Sequence, residues 1–160
     1  MFGKKKDDAP AKPMAPEEVY KLVKEGFDKE ELSYKEDEEH MIIHSIFMGD
    51  DLPIKMSIVV DNMILRFICF LDFKASPNNF SNVAWELNCI NKTLTFGAFY
   101  LDPDDGYVIF TDSFPFAESK LSTDFIMAYT RLIGQTVDKY DGDLKKIAEN
   151  VPREMDAMFH

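Results

Sequence analysis

Residues 54–72, "IKMSIVVDNMILRFICFLD", hold two strand-like runs joined by one tight turn, and this spacing restricts the available folds more than any other feature. Ile54, Met56, Ile58 and Val60 alternate with Lys55, Ser57 and Val59, which is the period of a strand. Asp61-Asn62 follows, and asparagine tolerates the left-handed backbone that tight hairpins require. The next run spans residues 63–72. An earlier one, about 41–48, ends at Gly49-Asp50-Asp51. Links this short cannot carry a parallel crossover, so the three runs form an antiparallel meander.

Helical patterns flank the meander. Pro16 suits a first helical turn, Glu17 and Glu18 suit its positive end, and Val19, Leu22 and Val23 share a face; Gly26 is expected to stop this helix. Residues 28–39 are an acidic connector with room for a short edge strand around 32–35. Ser76 fits an N-cap and Pro77 the first position of a second helix, whose stripe is Phe80, Val83, Ala84, Leu87, Ile90 and Leu94. A hairpin of residues 96–101 and 107–112 follows. Ser122 and Asp124 open a third helix with Phe125, Tyr129, Leu132, Ile133, Thr136, Val137 and Tyr140 on its apolar face. A break is expected at Asp141-Gly142-Asp143, then a short helix to 150. The expected fold is α+β: a five-stranded antiparallel sheet with helices on one face, in the order helix, three strands, helix, two strands, helix. Residues 1–15 read as a disordered arm with nothing to bury, 16–150 as a single domain and 151–160 as a C-terminal tail.

The totals bound the function. The 160 residues are 46% hydrophobic and 13% aromatic, enough for a packed core. A net charge of −11 repels phosphate backbones and anionic lipid, so neither nucleic acid nor a membrane is expected as a partner. The basic start, "MFGKKKDDAPAKPMAP", is not followed by an apolar run, and no segment approaches the ~20 apolar residues of a membrane span. A cytoplasmic location is expected. Cys69 and Cys89 lie in apolar periodic stretches without metal spacing and read as small core residues.

Three groups resemble sites. Asp102-Pro103-Asp104-Asp105-Gly106 fails as a calcium loop, because counting from Asp102 puts Tyr107 where glycine is needed and Ser113 where glutamate is needed. It suits a hairpin turn: proline fixes φ, aspartate bonds its own backbone, and glycine supplies positive φ. His40 and His44 would share a face of a helix, but on a strand at ~3.3 Å per residue they stand about 13 Å apart, too far to share an ion. Asn91 falls between Leu87 and Leu94. It reads as an amide bonding backbone near the helix end and the first hairpin strand; a ligand contact by Asn88 or Asn91 is the other reading. No GxSxG, GxGxxG or GxxxxGK[ST] pattern occurs. Neither an enzymatic activity nor a cofactor or metal is expected.

The run Asn88-x-x-Asn91, Leu94, Phe96-Gly97-x-Phe99, Asp102, Asp105-Gly106-x-Val108 resembles the YbjN family, the bacterial sensory transduction regulators, as does the element order from about 16 to 140. That resemblance implies a fold similar to the type III secretion chaperones, which are small, acidic, dimeric and non-enzymatic and bind a non-globular stretch of a client. The residues point the same way independently. A sheet with one wet face should alternate cleanly, yet Met63, Leu65, Phe67, Cys69 and Leu71 stand opposite Ile64, Ile68 and Phe70, relieved only by Arg66. Val108 and Phe110 likewise stand opposite Tyr107, Ile109 and Thr111. Ile64, Ile68, Phe70 and Phe110 are therefore expected to form a partner-binding face for a protein or peptide client or the second subunit of a homodimer. The alternative is a small-molecule sensor domain with a pocket between sheet and helices; a hydrolase or isomerase assembled from loops is a third reading.

Overall fold

The computed structural model describes residues 12–149. The chain runs α1 (Pro16–Lys29), β1 (Lys35–Asp37), β2 (Ile42–Met48), β3 (Pro53–Asp61), β4 (Ile64–Lys74), a 3-10 turn (Pro77–Asn79), α2 (Phe80–Asn91), β5 (Ala98–Leu101), β6 (Tyr107–Pro115) and α3 (Thr123–Ala148). Of the arm assigned to residues 1–15, residues 1–11 lie outside the described residues, as do residue 150 and the tail, 151–160. Met14 departs from the expectation of nothing to bury: it packs on the core, and its sulfur accepts the Leu121 N–H at 3.2 Å.

The sheet has six strands, not five, in the order β1-β2-β3-β4-β6-β5, every neighbouring pair antiparallel. The extra strand is β1, whose Lys-Glu-Asp sequence has no apolar alternation for periodicity to detect. Its pairing with β2 makes it a strand, and Tyr20 and Lys24 of α1 both reach Glu36, each at 3.1 Å. Burial and that carboxylate push the Tyr20 hydroxyl up to about 12. The β3–β4 hairpin closes one residue later than expected, at Asn62-Met63 instead of Asp61-Asn62, both with positive φ in a two-residue turn whose twist matches its strands. After β4 the chain crosses through α2 to the far edge, and β6 returns into the gap between β4 and β5.

Ile43, Met56, Ile58, Leu65, Phe67, Phe99 and Phe110 project from one face of the sheet against Phe27, Phe116, Ile126 and Ile133, all fully buried. Two glycines expected to break helices do not. Gly26 lies inside α1, because a Cβ there would fall 2.7 Å from Met127 Cγ; it lets α1 approach α3. Gly142 lies inside α3, which runs unbroken to Ala148, and the Asp51 carboxylate occupies the space a side chain would take. Ser122 caps α3 by accepting the Phe125 N–H at 3.1 Å, as expected. The buried stripe of α3 is Ile126, Met127, Thr130, Ile133, Val137, Asp141 and Leu144, rotated from the expected one, so Phe125 and Leu132 are exposed. The described residues contain no helix long and apolar enough to cross a membrane.

Candidate protein-binding face

The helices of the described residues cover one face of the sheet and leave the other open. Paired residues of neighbouring strands lie on one face, so the registers map the open side row by row. Ile46, Lys55, Phe70, Ile109 and Tyr100 make one row across β2, β3, β4, β6 and β5. Beside it run His44, Ser57, Ile68, Thr111 and Ala98, and then Ile42, Val59, Arg66 and Ser113. Ile64 closes the patch near the β3–β4 turn, paired with Asp61 and Pro115.

Three of the four residues expected on this face are there. Ile64 is 36% exposed, Phe70 is 40% exposed, and Ile68 between them is half-buried. Phe110 is not. It is fully buried on the helix side, in edge contact with Phe96 and Phe99, because its partner across β4–β6 is Cys69. Apolar residues on both sides of β6 leave the phase of that strand undetermined in one sequence. The register puts Ile109 beside Phe70 instead, with Tyr100 next to it at 44% exposed. Ile46 and Met48, on the same face, are 64% and 84% exposed. The sequence shows their strand apolar on both sides, Ile42, His44, Ile46 and Met48 opposite Met41, Ile43, Ser45 and Phe47, but the partner-binding residues were expected on the later strands.

Polar contacts frame the apolar centre. Lys55 Nζ meets Asp72 Oδ1 at 2.6 Å, Lys74 Nζ stands 4.4 Å above the Tyr107 ring, and His44 Nδ1 lies 2.8 Å from Ser57 Oγ. Exposed pairs like these contribute little to stability.

The other groups weighed in the sequence have structural partners. At the β5–β6 turn, Asp102 Oδ1 accepts the Asp104 N–H and Asp105 Oδ1 accepts the Tyr107 N–H, at 2.9 and 3.0 Å, while Gly106 takes φ +79°. His40 Nδ1 meets Asp37 Oδ2 at 2.8 Å, so the two histidines serve different neighbours. Asn91 Nδ2 donates to the Phe99 carbonyl and Asn91 Oδ1 accepts the Phe99 N–H, both at 2.8 Å, which is the structural reading of that amide. Asn88 is exposed. Cys69 is buried and its thiol is pushed up to about 12, but Cys89 is exposed and is no core residue. Among the described residues, no group of three or more His, Cys, Asp or Glu side chains is arranged to hold a metal ion.

Comparison with known proteins places this geometry. The crystal structure of YbjN from E. coli, described as "a putative transcription regulator", superposes with a TM-score of 0.62 at 13% identity, covering 77% of this chain and 88% of that one. The HopA1-SchA chaperone-effector complex contributes a chain with a TM-score of 0.55 at 14% identity, covering 82% of this chain and 99% of that one. Both share the fold. A search of curated proteins finds no match to the sequence. The model of the YbjN family, "Putative bacterial sensory transduction regulator", matches residues 20–146, and the chain belongs to that family.

Proposed function

We propose that the chain is a non-enzymatic, cytoplasmic protein-binding module, chaperone-like or regulatory in role, that works through the open sheet face and assembles as a homodimer. The observation that carries this reading is the apolar row on that face. Ile64, Ile68 and Phe70 run along β4, with Tyr100 on β5 across Ile109, which is itself 4% exposed, and no helix of the described residues covers them. Covering a Leu- or Phe-sized side chain is worth roughly 1.5–3 kcal/mol, so several together favour association. Fold likeness to a chain of a solved chaperone–effector complex supports a polypeptide as the ligand. The sensor reading has less support, because Phe67, Phe99, Phe110 and Phe116 fill the centre between sheet and helices, and the cleft that remains at its edge, between Ile54 and Met127, is only about 210 Å³.

Ile68→Asp tests the proposal. Ile68 sits in the middle of β4 with its side chain on the open face, paired with Ser57 and Thr111. An unpaired carboxylate closed into an interface costs about 3–5 kcal/mol, a hundredfold or more in dissociation constant. The wild type is expected to run as a dimer by light scattering. The variant should keep its circular dichroism spectrum and run as a monomer. A wild-type monomer at high concentration removes the homodimer. A variant that stays dimeric removes the open face from the interface.

A further inference from the structure

The two edges of the sheet are finished differently. At the β5 edge the Asn91 amide holds both backbone groups of Phe99, taking the place of a further strand. At the other edge β1 covers only Ile42, Ile43 and His44. The β2–β3 ladder fixes where the rest of β2 points. Val60 N–H donates to the Met41 carbonyl and Gly49 N–H to the Leu52 carbonyl. By antiparallel alternation, the backbone N–H and C=O of Ile46 and Met48 therefore face away from β3, past the end of β1. The preceding connector has left the strand line there, held by Ser45 Oγ donating to the Ser33 carbonyl at 2.8 Å.

A cleft flanks this edge on each side. One, about 450 Å³, is bounded by Lys35, His44, Ile46, Lys55 and Ser57, which belong to the open face. The other, about 210 Å³, is bounded by Leu32, Phe47, Ile54, Met127 and Arg131 on the helix side. A strand sends successive side chains to opposite faces, so one laid along this edge would fill both clefts alternately. The described lining of the larger cleft carries two lysines and a histidine and no carboxylate, in a chain of net charge −11. Lys55 also meets Asp72, outside that lining, at 2.6 Å, so an acidic ligand competes with Asp72 for it. The smaller is mainly apolar.

We infer that the free edge of β2 at residues 46–48 takes up an extended segment of another protein as an added strand, with apolar residues toward the helices and acidic residues toward Lys35 and Lys55. This rests on the reading of the chain as a protein-binding module, though not on its use of the β4 face. A charged β1 and an amide-clipped β5 discourage pairing elsewhere, which leaves this stretch as the apolar one open to a strand.

The probe is a fluorescein-labelled octapeptide of alternating leucine and glutamate, followed by fluorescence polarisation. Ile46→Pro removes the outward N–H without touching the β3 ladder, and Ile46→Ala removes only side chain. The affinity of the proline variant should fall at least about fivefold below that of the alanine variant, the loss of about one backbone hydrogen bond. N-methylating one alternate set of peptide amides should abolish binding, and methylating the other set should leave it. Circular dichroism and thermal melts confirm that both variants fold.

Equal loss in the two variants, indifference to which amides are methylated, or failure of the peptide to bind the wild type would overturn the inference. So would conversion of a wild-type dimer to monomer by Ile46→Pro, since the occupant would then be a second copy of this chain. Ile68→Asp in parallel separates the two readings. If it leaves the dimer intact while the peptide still discriminates between methylated sets, the open-face reading fails and the edge stands.

Discussion

Asp141→Asn should stabilise the protein, and only above mildly acidic pH. Asp141 lies within α3, 1% exposed, and its Oδ1 has no hydrogen-bond partner. Burial pushes its carboxyl up from an ordinary 3.8 to about 6; the Gly142 N–H opposes the rise, and Asp138, Asp51 and Asp50 add to it. The loop bearing Asp50 and Asp51 is fastened against α3 by the Asp50 N–H, which donates to Asp138 Oδ1 at 2.7 Å. The folded state thus holds the proton more tightly than the unfolded chain does. Between pH 4 and 6 it binds more protons than the unfolded chain, so stability falls as pH rises and levels off above about 6. A rise of that size corresponds to roughly 3 kcal/mol. Asp50 and Asp51 are exposed to screening water, so about 2 kcal/mol is the expected net effect. Asparagine keeps the shape, removes the charge and gives the neighbouring carboxylates a donor. Urea unfolding of both proteins from pH 4 to 8 isolates the effect as a difference, since the other groups titrate alike in each. The variant should match the wild type near pH 4 and exceed it by about 2 kcal/mol at pH 8, or several degrees in Tm. A difference that does not change with pH, or a variant weaker at pH 8, would refute the account of Asp141 as a buried, repelled carboxylate.

Two further outcomes follow from the β5–β6 region. Gly106→Val should cost more stability in denaturant unfolding than Asp104→Ala and Asp105→Ala combined, by about 2 kcal/mol: φ is +79° and an added Cβ would stand 2.6 Å from the Ala75 carbonyl. The reverse order would give the acids a structural or ligand role. Asn91→Leu should leave the two backbone groups of Phe99 unpaired, costing about 2 kcal/mol and speeding amide exchange at Phe99 more than at Val108; equal rates would mean that the clip does not hold the edge.

What the sequence disclosed follows from how strongly each stretch constrains its own phase. In β3, Lys55 and Ser57 contrast with Ile54, Met56 and Ile58, and the face assigned from alternation is the buried one. The Asn91 amide and the β3–β4 turn were legible because each rests on contacts a few residues away. The phase of β6 was not, because Val108, Ile109 and Phe110 are all buried, Ile109 on the open side at 4% exposed. Such a run is consistent with either orientation until the Cys69 pairing selects one. β1 was placed only loosely, as room for an edge strand around 32–35 instead of Lys35–Asp37, for the opposite reason: it has no apolar residue at all. Gly26 and Gly142 were misjudged because helix propensity is local, while the atoms that exclude a side chain there belong to Met127 and Asp51. The residues least visible in one dimension are thus those whose conformation is set by a partner distant in the chain. Ile46 and Met48 belong with them in part: the apolar doubling of their strand is visible in the sequence, but the freedom of their backbone depends on where β1 stops. That end point is set by the departure of Ser33 and Tyr34 from the strand line, eleven or more residues earlier, so no periodicity within β2 could report it.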